Sequence, residues 1–87
     1  MSSNHTDTSL YPTESELVKI TEISEKLEAE AVAPYKAISG GFAKAEMYEY
    51  DENTFELELK FGVQSDVADS VHSEYHSIDR KTMELTT

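Results

Sequence analysis

Residues 55–63, Phe55-Glu56-Leu57-Glu58-Leu59-Lys60-Phe61-Gly62-Val63, alternate apolar and polar or small positions over their whole length. Successive side chains of a strand point to opposite faces, so period two marks a strand with one face buried. Phe55, Leu57, Leu59, Phe61 and Val63 form that face; Glu56, Glu58 and Lys60 form the other.

The preceding run, Phe42 to Tyr50, is placed to pair with it across Asp51-Glu52-Asn53. A one-residue slip would reverse every side chain. Setting Tyr48 opposite Leu57 would drive Lys44 and Glu46 into the core, at the cost of desolvating unpaired charges. A three-residue loop instead puts Ala43, Ala45 and Met47 on the face of Leu57, Leu59 and Phe61, with Asn53 in the left-handed position of a turn plus bulge. A further shift of two residues keeps the same faces and pairs Glu46 with Lys60, but leaves Thr54 left-handed. Either way the outer face carries Phe42, Lys44, Glu46, Tyr48 and Tyr50 beside Glu56, Glu58 and Lys60. The doublet Gly40-Gly41 precedes a strand and not a helix, so it reads as a turn or a close backbone approach rather than a phosphate cradle.

Upstream, Thr13 and Glu16 have the spacing of a capping box, with Pro12 and Leu17 placed as a hydrophobic staple. A helix is predicted from about Glu14 to Ala31 or Val32, stopped by Pro34. Leu17, Ile20, Ile23, Ser24, Leu27 and Ala31 make one stripe on it, opposite Lys19, Glu22 and Lys26. Residues 1–11 are mostly small and polar and read as a disordered tail.

Downstream, Val67, Val71, Tyr75 and Ile78 fit the apolar side of a second helix, Asp66 to about Arg80. Ser65 would be its cap, and its acidic start and basic end would suit the helix dipole. Asp69, His72, His76 and Asp79 would then form a single polar stripe. Two His at i,i+4 with flanking carboxylates are weak candidates for a metal site, since a zinc site needs three or more good ligands; no metal and no cofactor is expected. Residues 82–87 alternate as a short third strand or end as a frayed tail. The expected architecture is α+β, in the order α-β-β-α with an optional final strand. It would be one domain over residues 12–81, with two helices on one face of a small antiparallel sheet.

The whole chain has 87 residues, no Cys, and a net charge of −11. Lack of Cys rules out disulfides, thiolate metal sites and Cys nucleophiles. Direct binding to nucleic acid or an anionic membrane depends on basic residues releasing counterions, which this charge opposes. The first eleven residues have neither the basic nor the apolar region of a secretory leader, so a cytoplasmic location is expected. No two carboxylates stand out as a catalytic pair, and no serine sits in a nucleophile elbow, so no enzymatic activity is expected.

What stands out is the outer hairpin face, where Phe42, Tyr48 and Tyr50 have no further element to cover them. With Glu46, Glu56 and Glu58 they are the candidate binding residues of a small acidic module that engages a basic protein. Such a module could act as an inhibitor or nucleic-acid mimic: carboxylates two apart on a strand are roughly 6.6–6.8 Å apart, twice the ~3.4 Å phosphate spacing of one DNA strand. The alternative is a structural or regulatory protein, homodimeric, whose acidity is an adaptation to salt. Small cores and open sheet edges favour a dimer on either reading.

Overall fold

The computed structural model describes residues 10–67 and 69–86. The segment read as a disordered tail lies outside them as far as residue 9. Its last two residues are held in place: the Leu10 carbonyl accepts from Arg80, and Tyr11 stacks edge-on against Tyr50 at 5.9 Å.

Helix α1 (Glu14–Val32) begins as its sequence specifies. The Thr13 hydroxyl accepts from the Glu16 amide at 3.2 Å, and the Glu16 carboxylate accepts from the Thr13 amide at 2.9 Å. Two of the amides that a helix start leaves without partners are thereby satisfied. Ile20 and Leu27 are buried, with Ile23 and Ala31 packed beside them. A 3-10 turn, Ala33–Tyr35, carries Pro34 and ends the helical stretch. The doublet that follows is both turn and close approach: Gly40 has φ +86°, and a Cβ on Gly41 would lie 2.1 Å from the Tyr35 carbonyl oxygen.

Four strands complete the chain: β1 (Gly41–Tyr50), β2 (Thr54–Gln64), β3 (Asp69–Asp79) and β4 (Glu84–Leu85). They form one antiparallel sheet in sequence order. The fold is α+β, but with one helix among the described residues, in the order α-β-β-β-β. The expected second helix is strand β3, paired with β2 without a break from Gln64↔Asp69 to Thr54↔Asp79. Ser, Val, His and Tyr are all indifferent helix formers, whereas β2 offers a full-length hydrogen-bonding edge. The supposed apolar stripe is dispersed: Val67 is 95% exposed, Tyr75 58% and Val71 40%, while Ile78 alone is fully buried. The short C-terminal strand exists as β4, the fourth strand rather than the third.

From Gly41 to Met47 the β1–β2 register is the one that shares faces as expected, with Ala45 opposite Leu59 and Met47 opposite Leu57. It then shifts by one at Tyr48, so that Glu49 faces Glu56 and Tyr50 faces Phe55. A bulge inserts one residue and reverses the side on which the following residues lie. Tyr50 is therefore not on the outer face; it packs on the core. Nor does Asn53 take a left-handed conformation, since Met83 is the one described non-glycine residue with positive φ. The turn is closed by the Asp51 carboxylate, which accepts from the Asn53 and Thr54 amides at 2.8 Å each.

The core lies between α1 and the inner sheet face: Phe55, Leu57 and Ile78 are fully buried, with Ile20, Leu27 and Leu59 around them. Burying such a side chain stabilises by about 1.5–3 kcal/mol each. Because α1 crosses β1 and β2, the inner face of β3 is only partly covered, and among the described residues no element covers the outer face of the sheet.

Candidate protein-binding surface

The outer face is laid out in cross-strand rows. Phe42 stands opposite Gly62, and Gly62 opposite Val71; Lys44, Lys60 and Ser73 form the next row; Glu46, Glu58 and Tyr75 the next. Beyond it come Glu49, Glu56 and Ser77, with Tyr48 inserted by the bulge. Of the six residues picked out from the sequence, Phe42, Glu46, Tyr48, Glu56 and Glu58 share this surface; Tyr50 does not. Tyr75 was missed because a helical reading of its segment placed it on a buried stripe. Its alternation with His72, Glu74 and His76 is the strand signal of that segment, but helical spacing fits the same residues.

Tyr48 and Tyr75 are the centre of the surface. Their rings meet edge to face at 5.7 Å, a geometry that pairs the positive edge of one ring with the negative face of the other. Both remain more than half exposed. The Tyr75 hydroxyl donates to Glu58 at 3.2 Å. Glu56 accepts from the hydroxyls of Ser77, at 2.6 Å, and Thr54, at 2.5 Å. These bonds orient two carboxylates beside the rings.

Electrostatics follow from the crowding of acids. Desolvation, and then the charges of Glu56, Glu49 and Glu58, push the Tyr48 phenol above its ordinary value. For Tyr75 the bond to Glu58 is the main cause, with the Glu58 charge next. Glu46 and Glu58 stand directly opposite each other, a like-charge pairing that weakens a sheet. Lys44 offsets part of it, its ammonium 3.6 Å from Glu46.

The two histidines are on the other side. His72 pairs with Phe61 and His76 with Leu57, placing both on the inner face, whereas Asp69 and Asp79 pair with outer-face positions. The four-residue stripe expected on a helix is thus split between two faces. His76 Nε2 lies 3.3 Å from Glu74, and the His72 ring packs against Phe61 at 5.5 Å. Among the described residues no three His, Asp or Glu side chains are placed to hold a metal ion. His76 and Glu74 instead line a cavity of about 310 Å³ between the end of α1 and β2–β3, floored by Leu27, Leu59 and Phe61 and walled by Glu30.

Comparison with protein-family models, curated proteins and solved structures gives no match. The chemistry of the surface carries its own reading. An aromatic pair ringed by carboxylates offers contact area and hydrogen-bond acceptors. No described helix is long and apolar enough to cross a membrane.

Proposed function

We propose that this chain is a small, acidic, non-enzymatic protein-binding module whose outer sheet face engages a basic protein. The observation that carries this reading is the Tyr48–Tyr75 pair, half wet and bordered by Glu46, Glu49, Glu56 and Glu58. Tyrosines of this kind supply binding area at low entropic cost. Cationic side chains of a partner would relieve the opposition of Glu46 and Glu58, and arginine would stack on the rings. The carboxylates would chiefly set the sign of the partner and its rate of association.

The placement of the lysines is compatible with the inhibitor or nucleic-acid-mimic form of this reading. Lys44 and Lys60 face each other in one row; Lys44 reaches Glu46, and Glu49, Glu56 and Glu58 continue the acidic block toward the hairpin end. An NMR titration with an arginine-rich model peptide tests the proposal. Shift changes should concentrate on Tyr48, Glu56, Glu58 and Tyr75, and fade with salt. Changes centred on Glu22, Glu25 and Glu30 of α1, or scattered over the chain, would refute it.

A further inference from the structure

We infer that two copies of the chain join through the open edge of β3, antiparallel and two-fold symmetric about Ser73, merging two four-stranded sheets into one. Strand pairing is made by backbone groups, so the inference does not need a basic partner on the outer face; the two share only Tyr75, at the border of that face.

The two long edges of the sheet are treated differently. On β1, the Glu28 carboxylate reaches down from α1 and takes the Ala45 amide at 2.7 Å, which blocks pairing there. On β3, β4 covers Ile78 and Asp79, and Thr86 adds a bond to the Ser77 carbonyl. From Asp69 to His76 that edge has no strand beside it among the described residues. It carries few of the usual guards: β3 contains no proline and no lysine, its register with β2 is unbroken, and Glu74 is the one acidic residue between Ser70 and Ser77. Backbone groups alternate sides along a strand. Since the Ser77 carbonyl faces the open edge, those of Val71, Ser73 and Tyr75 do too.

A partner strand must therefore match odd positions with odd, which leaves few registers. Centring on Glu74 would set two carboxylates against each other. Centring on His72 would pair His72 with its own copy. Centring on Ser73 sets His72 opposite Glu74 of the second copy, twice, and Val71 opposite Tyr75 of the second copy, twice. Both are favourable cross-strand pairs, and a two-fold interface requires this self-complementarity. Glu74 is open enough to accept such a partner beside His76, its side chain being 55% exposed. The same argument disfavours the acidic outer face as the contact between copies, because it would oppose its own glutamates. The net charge of −11 on each copy makes the association strengthen with salt.

The chain has no cysteine, so single-cysteine variants report the register directly. Residues opposite each other in a hydrogen-bonded antiparallel pair have Cα atoms about 5.5 Å apart, within disulfide range. In half-molar salt the full-length protein should sediment at high micromolar concentration with about twice the 9.8 kDa mass of one chain. Under mild oxidation S73C should cross-link fastest. V71C and Y75C should each cross-link poorly alone but readily when mixed. Ser73→Pro removes an outward amide on an edge and should abolish the dimer while circular dichroism is retained; the double variant Glu46→Lys, Glu49→Lys, on the far strand of the outer face, should still dimerise. A monomer at every concentration and salt, a cross-linking maximum at residue 72 or 74, or loss of the dimer in the Glu46→Lys, Glu49→Lys variant would overturn the inference.

Discussion

Arg80, the single arginine of the chain, ties four parts of the molecule together. One guanidinium nitrogen donates to the carbonyls of Leu10 and Asp51 at 2.8 Å each, and another reaches the Glu16 carboxylate at 3.3 Å. The group lies over the Phe55 ring, 4.3 Å from its centre, and the Arg80 amide donates to Asn53. The segment before α1, the helix start, the β1–β2 turn and the end of β3 all meet there. Arg80→Ala should cost about 2–3 kcal/mol, from lost charged hydrogen bonds and ring contact. Arg80→Lys should recover less than half, because an ammonium cannot reproduce the planar fork. Urea unfolding of the three proteins measures both. Tyr75 supports a second prediction. Its neutral hydroxyl donates to Glu58, so its folded pKa is raised. The stabilisation is then fully present below the unfolded value near 10 and is lost as pH rises through the higher folded value. Absorbance titration should show Tyr75 ionising late, and Glu58→Gln should bring it back toward the ordinary value.

Among the elements, α1 is the one whose limits are set by side chains next to them in sequence. Thr13→Ala should cost about 0.5–2 kcal/mol, while Thr13→Ser should retain most of the stability; thermal unfolding separates the two. Strand β2 was legible for a related reason: its alternation from Phe55 to Val63 admits a single period. Strand β3 was not. Val67, Val71, Tyr75 and Ile78 satisfy helical spacing, while in the strand Val71 and Tyr75 fall on one face and Ile78 on the other, beside His72, Glu74 and His76 on a partly open inner face. Period alone could not choose between them, because the deciding energy lies in the ladder to β2. Nothing within residues 65–80 encodes that edge.

At the scale of the whole molecule, one helix lies across β1 and β2, and that offset decides which surfaces remain open. Among the described residues it leaves the outer face without a covering element, exposes much of the inner face of β3, and lets Glu28 guard one edge while no strand lies beside β3 from Asp69 to His76. The sequence by itself determined the helix with its capping box, the hairpin with its buried Phe55, Leu57 and Leu59, and the acidic character of the exposed side, because each rests on neighbours or on a single unambiguous period. Only the tertiary structure decided where Tyr50 and Tyr75 would lie. The Asp51-capped turn pairs Tyr50 with Phe55, the middle of the hairpin pairs Met47 with Leu57, and these registers differ by one. The bulge at Tyr48 reconciles them, sending Tyr50 inward and leaving Tyr48 outside to meet a tyrosine from a strand that local sequence could not distinguish from a helix.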